Sequence, residues 1–439
     1  MNSDQINKEY IDMIKSDEKR YIKDYEKTME KVKGSKAIYK GRTMPTLYHP
    51  MFLTRKDVRE LEKIGKSMMD ISNKLTDRFI EDKEFRKKFH FSKFIEELIE
   101  VENGYDINIP IARYDLFFKD GENFKFCELN TDGSSAMNED YIFSNIMLES
   151  LALEDFSKDK KLSSFELFNS WVRESITIYN KTKNPKERPN VAIVDFKESA
   201  TDMEFLEFQE SYKEEGYNCI IADPRDLKYR DGALYHEDYR IDIVYRRMVS
   251  YEIIDKKEEI KEFLDAYRDR AFVCIGSMRS QVVHNKIFFK ILHDQDTLEY
   301  LTQEERDFVK RHIPYTGIFG GSEEVFKKVV EGREKYIMKP MDLNASQGVY
   351  VGRDFSDEEW EKRLRDSFDK DYIYQEYFDP FEKDFLLKTE DGFKSESFKT
   401  TIGLYIYNEK VKGFYSRIGQ ESIISGVVRY FTLPNIFVE

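Results

Sequence analysis

The chain has 439 residues, 40% hydrophobic and 36% charged, and its 85 acidic against 71 basic side chains leave a formal net charge of -14. That length exceeds what one hydrophobic core serves, so two or three subdomains are expected, and the acidic balance excludes a general nucleic-acid footprint. Cys127, Cys219 and Cys274 lie far apart without C-x-x-C spacing, and no stretch approaches about 18 uninterrupted apolar residues, so a cytosolic protein with reduced thiols and no membrane partner is expected.

Residues 4–33 set Ile6, Tyr10, Met13, Ile14, Tyr21, Tyr25, Met29 and Val32 at mostly three- and four-residue steps among charges, with Gly34 as a stop, which predicts an amphipathic helix. Pro45 and Pro50 then mark a loop, and Thr54 is placed to cap a second long helix carrying Val58, Leu61, Ile64, Met68, Ile71, Leu75 and Phe79. A helical segment is expected over residues 1–95.

Two apolar runs follow, Tyr114 to Phe118 and Phe124 to Leu129, separated by a turn containing Asp120-Gly121, a hairpin signal. Strand periodicity puts Arg113 and Asp115 on one face of the first strand, and Glu128 and Asn130 on one face of the second. If the strands pair, an arginine, two acids and an amide converge near one rim. In a generic hairpin such charges more often form a solvated face, so the remainder of the chain must decide between the two readings.

Helices are expected over 138–149 and 162–180, and Lys181 to Asn190 reads as a charged linker. The short apolar runs Val191 to Phe196, Cys219 to Ala222, Ile241 to Arg246 and Phe272 to Ile275 then alternate with helical or turn-rich stretches, which predicts an open, largely parallel α/β sheet. No G-x-G-x-x-G follows the first run, so a dinucleotide fold is not supported. From His284 onward the runs Tyr336 to Pro340, Val349 to Gly352, Tyr372 to Tyr377, Lys399 to Tyr407 and Val411 to Ile418 predict one twisted antiparallel sheet.

Lys339 closes an apolar strand beside a small-residue turn, where an ammonium and backbone N–H groups can meet phosphate together. Gln375, Glu376 and Tyr377 put polar groups on a strand that looks buried, where they need partners, and an adenine edge is one such partner. Lys286 and Arg417 add two further cations. Each feature alone is weak; their order along the chain is not.

In that order the chain resembles the ATP-grasp ligases, in particular the synthetase part of glutathionylspermidine synthase and its relatives. The resemblance runs roughly from Pro45 to the C-terminus, and its most specific part is R-x-D at Arg113 followed by E-x-N-x-D at Glu128. It implies a mixed α/β (α+β) fold: a helical N-terminal segment (1–95), a pre-ATP-grasp α/β region (96–283) and a C-terminal ATP-grasp region of antiparallel sheet subdomains (284–439). It also implies that Asp115, Glu128 and Asn130 hold Mg²⁺, that Arg113 faces an acyl phosphate, and that Ser134 and Ser135 line the substrate site. By the same resemblance Lys286, Lys339 and Gly348 hold ATP phosphates, Gln375, Glu376 and Tyr377 hold adenine, and Arg417 stabilises the transferred phosphoryl group.

Three stretches depart from the family pattern. Asn344, Ala345 and Ser346 stand where a glycine and an arginine are expected, and Ser425 to Val428 lacks an expected lysine, with Arg429 next to it. Val244-Tyr245-Arg246-Arg247 replaces a stretch associated with polyamine binding, so Arg246 and Arg247 are expected to meet a carboxylate or phosphate, and spermidine is not expected as the amine. The expected function is a Mg-ATP-dependent ligase joining a small-molecule or short-peptide carboxylate to an amine through an acyl phosphate. The alternatives are a non-catalytic nucleotide- or peptide-binding protein of the same fold, and a phosphoryl transferase.

Overall fold

Thr54 fixes the start of the longest helix, Arg55–Glu81, because its hydroxyl accepts from the Asp57 N–H while the Asp57 carboxylate accepts from the Thr54 N–H. The apolar stripe of that helix, from Leu61 to Phe79, is buried in the main core, as its spacing predicts. The computed structural model describes residues 2–39, 41–343, 346–424 and 430–439. Before Thr54, the single expected helix is two, Ser3–Ser16 and Glu18–Lys33, because Asp17 leaves helical geometry at φ -140° and ψ 59°. Both pack Ile6, Tyr10, Ile14 and Tyr21 into a second core with Tyr48, Phe52, Phe156 and Phe393.

The four apolar runs in the middle of the chain form a parallel sheet, in the spatial order Val273–Ile275, Ile243–Arg246, Val191–Val194, Cys219–Ala222. The connection between its second and third strands in sequence, Cys219–Ala222 and Ile243–Arg246, is an antiparallel meander over Leu227–Arg230, Ala233–His236 and Tyr239–Ile241. A helix expected from Leu162 begins only at Phe168; Leu162–Ser163 is instead a short strand paired with Asn435–Val438.

The expected single antiparallel sheet of the final third is two sheets. Thr316–Ile318, Tyr372–Glu376, Tyr336–Pro340 and Tyr350–Val351 make a four-stranded one. Gly392–Tyr407 and Lys410–Gly419 belong to a six-stranded sheet, in which Gly392–Tyr407 pairs antiparallel with Ile111–Phe118. Strand periodicity alone cannot tell the two apart, since both need the same alternation and partner choice is a tertiary matter. The C-terminal strand Asn435–Val438 runs parallel to Met51–Thr54, which ties the end of the chain to the start of the long helix. Among the described residues no helix is long and apolar enough to cross a membrane.

Candidate active site

The expected hairpin forms, with strands Ile111–Phe118 and Phe124–Asn130 in antiparallel register. Its five-residue turn is closed by Asp120, whose Oδ1 accepts from the N–H groups of Glu122 and Asn123. Arg113 lies opposite Asn130 and Asp115 opposite Glu128, so the four polar side chains share one face. On the far side of the first strand, Gly403 faces Asp115; a Cβ there would come within 2.6 Å of Asp115 Oδ1 and 2.9 Å of Arg113 Cδ. The glycine makes room for the charged pair, and a glycine inside a strand was the only sequence signal for it.

Asp115 has no exposed surface. Arg113 grips it with Nε to Oδ1 at 2.7 Å and Nη2 to Oδ2 at 3.0 Å, and Arg417 adds Nη2 to Oδ2 at 2.9 Å. Both guanidinium groups lie over the Tyr415 ring, 5.1 and 5.5 Å from its centroid. Asn130 Nδ2 donates to Asp115 at 3.3 Å and to Glu128 at 3.4 Å. Lys286 Nζ meets Glu128 at 3.1 Å and the Leu343 carbonyl at 2.9 Å, while Lys339 Nζ meets the Cys127 carbonyl and Gln375 Oε1. Burial alone would raise the Glu128 carboxyl, but Lys286 and Lys339 outweigh it and hold the group down to about 2.

Gln375 is buried on a central strand, donating from Nε2 to Thr316 Oγ1, whereas Glu376 is exposed. The backbone N–H groups of Glu376 and Tyr377 donate to the carbonyls of Tyr315 and Lys335, so those two donors are used inside the fold. An edge held by this hinge must therefore use carbonyls or the chain beyond Tyr377. Gly348 adopts φ +68° beneath Tyr372, whose hydroxyl would lie 2.6 Å from an added Cβ. Asn344, Ala345 and the stretch 425–429 lie outside the described residues.

Two cavities meet at these groups. One, about 290 Å³, is lined by the hairpin, by Ser134 and Ser135, and by Glu139, Asp195, Glu252 and Arg247. The other is a slot between the two antiparallel sheets, bordered by Phe117, Ile337, Val349 and Phe378 and by Lys286, Lys339, Gln375 and Tyr377. Glu128, Ser346 and Arg417 line both.

Arg246 does not reach either cavity. It is 2% exposed, pairs with Asp132 at 2.5 Å, and spends its remaining donors on the carbonyls of Gly276, Met248 and Ser277. The expectation that it meets substrate is corrected: it is a structural ion pair behind the site. Arg247 does border the larger cavity, but Glu204 neutralises it at 2.7 Å and it also donates to Ser134 O and Tyr245 Oη. With both arginines neutralised by the protein, the charge argument against a cationic amine falls.

The family model described as glutathionylspermidine synthase pre-ATP-grasp matches residues 44–436. The chain belongs to this family. No curated protein matches the chain. Among solved structures, a glutathione synthetase-like effector, GSS30, from Globodera pallida in its apo form is similar at TM-score 0.59 and 11% identity, covering 95% of this chain and 97% of that one. At that identity the likeness is one of fold. D-alanyl-alanine synthetase A from Vibrio cholerae (TM-score 0.30, 10% identity, 55% of this chain and 89% of that one) carries no weight at that score. The same holds for the macrocyclase MdnC from Microcystis aeruginosa, bound with precursor peptide MdnA (0.30, 14%, 56% and 90%). In this member of the glutathionylspermidine synthase pre-ATP-grasp family, residues 1–43 precede the matched region, yet Ile38 and Tyr39 border the larger cavity.

A magnesium ion in this family site would find two carboxylates and one amide in cross-strand register. Among the described residues no three His, Cys, Asp or Glu side chains gather as a metal site. Both Asp115 oxygens accept from arginines and Asn130 presents Nδ2 to the two acids, so a hard cation held by Asp115, Glu128 and Asn130 would have to displace those donors.

Proposed function

We propose that the protein is a Mg-ATP-dependent ligase that activates a carboxylate as an acyl phosphate and joins it to an amine. The observation that carries this reading is the meeting of the two cavities at Glu128, Ser346 and Arg417, with four cations at the junction. Nucleotide in the slot, between Lys286, Lys339 and the Gln375 to Tyr377 hinge, would present its γ-phosphate toward a carboxylate in the larger cavity. Two anions must then approach, and Arg113 and Arg417 from separate strands supply fixed positive charge where negative charge accumulates. Asp115, Glu128 and Asn130 would hold Mg²⁺, which screens the phosphate charge and orients its oxygens. Ser134 and Ser135 stand on the substrate side. The apolar walls of the slot exclude water that would otherwise hydrolyse the intermediate.

The test is release of ADP and phosphate from Mg-ATP by the full-length protein. Carboxylates would include glutathione and short peptides, and amines would include spermidine, since Glu139, Asp195 and Glu252 line the cavity and an entering cation favours their ionised forms. One ADP per amide is expected. Absence of ATP binding by calorimetry in Mg²⁺ overturns the reading.

A second reading, a nucleotide- or peptide-binding protein without turnover, draws on the tight Arg113–Asp115–Arg417 cluster, in which both arginines already have an anionic partner. It predicts that ATP binds while no carboxylate and amine pair releases ADP.

A further inference from the structure

Glu139 stands in the first turn of the Met137–Leu148 helix, in the wall of the larger cavity, and is 5% exposed. Its Oε2 is buried and has no hydrogen-bond partner among the described residues. The neighbouring acids are all engaged. Glu204 accepts from the Met137 N–H at 2.8 Å and pairs with Arg247, Glu128 pairs with Lys286, Asp195 accepts from the Phe196 N–H, and Glu252 accepts from the Ser199 hydroxyl. Asp140, next in sequence, accepts from Asn435 Nδ2 and does not line the cavity.

The groups that act on Glu139 are Glu204 and Arg113, with Tyr415 and Tyr430 close enough to feel its charge. Burial, and then the like charge of Glu204, push its carboxyl up to about 8, with Arg113 opposing. A carboxylate so placed gains by taking up a proton, and a base that titrates near neutrality is best suited to proton transfer.

We propose that Glu139 is the proton acceptor for the attacking amine. This rests on the ligase reading. An ammonium entering the cavity favours the ionised form of Glu139, whose Oε2 then takes one of its protons and frees the nitrogen lone pair. The nitrogen attacks the acyl-phosphate carbonyl carbon, the C–N bond forms, and the C–O bond to phosphate breaks with its electron pair leaving on phosphate. The second nitrogen proton goes to the departing phosphate, and the proton on Glu139 is released to water.

The test uses hydroxylamine, a nucleophile that is neutral near pH 7 and traps acyl phosphates without a base. Full-length protein is given Mg-ATP, glutathione, and either hydroxylamine or spermidine. In Glu139→Gln, an isosteric change, the ratio of amide to hydroxamate is expected to fall by roughly 100-fold or more. Glu139→Asp is expected to recover part of that ratio, and the wild-type pH limb on amide formation is expected to vanish in Glu139→Gln. An unchanged ratio, with hydroxamate still made, overturns the role of Glu139 alone. No hydroxamate from the wild-type protein overturns the ligase reading beneath it.

Discussion

Asp115 is surrounded: two guanidinium groups and an amide converge on a carboxylate with no exposed surface. Removing it strands two cations, so Asp115→Ala should destabilise the protein by roughly 3–5 kcal/mol. A denaturant titration would read this directly, and it means that lost turnover in that variant says little about metal. Asn130→Ala is the cleaner probe. It should raise the Mg²⁺ concentration needed for half-maximal ADP release while leaving the melting temperature within a few degrees. Gly403→Ala should cost about 1–3 kcal/mol by overpacking against Asp115 and Arg113, and should lower turnover with it.

The buried titratable groups set opposite pH limits. Burial, with Lys383 adding to it, lowers His49 to about 3; its ring accepts from the Leu386 N–H and faces Asn7 Oδ1. The unfolded chain takes up a proton near 6.5 that the native ring refuses, so stability is lost as pH falls from about 6.5 toward 3. Glu139 and Asp140 do the reverse. Burial raises each to about 8, so the native state keeps protons that the unfolded chain gives up above about 4, and stability declines as pH rises toward 8. Urea midpoints across pH should fall on both sides, and Glu139→Gln with Asp140→Asn should flatten the alkaline side only.

At the scale of elements, Thr54→Ala should cost about 1 kcal/mol by removing one half of a reciprocal cap, measurable as a shift in urea midpoint. Thr54 illustrates what was legible in the sequence: a cap followed by a regular stripe, whose stabilising contacts are close along the chain. The hairpin and the four parallel strands were legible for the same reason, as local alternation and turn chemistry. Partners were not. Gly392–Tyr407 pairs with Ile111–Phe118 across most of the chain's length, with Ile402 opposite Leu116, and nothing in its own alternation names that partner. Arg246 shows the same limit at a candidate site residue, since its role depends on Asp132 and on carbonyls from a distant turn. Glu139 left no mark in the sequence because a carboxylate in a first helical turn is ordinary there.

For the whole molecule, the division of labour lies between the two cavities, with Glu128, Ser346 and Arg417 at the boundary. The N-terminal residues take part as well. Ile38–Tyr39 and Arg42–Thr43 form a small antiparallel ribbon, continued where the Met44 N–H donates to the Ala37 carbonyl and held to the body where Asn138 Nδ2 donates to the Lys36 carbonyl. Tyr39→Ala should therefore change the apparent affinity for the cavity's substrate more than the ATP affinity, which steady-state kinetics with each varied in turn would separate.

The parallel pairing of Asn435–Val438 with Met51–Thr54 has a consequence in time as well as in space. A chain emerging from the ribosome has made its hairpin long before the strands carrying Gly403 and Arg417 exist. Asp115 has Arg113 from its own strand, but Arg417 comes 302 residues later, and the six-stranded sheet cannot close until Tyr430–Leu433 has been made. High contact order of this kind slows folding and lengthens the exposure of open strand edges. Removing the strand Asn435–Val438 should leave Met51–Thr54 without its parallel partner at the start of the long helix.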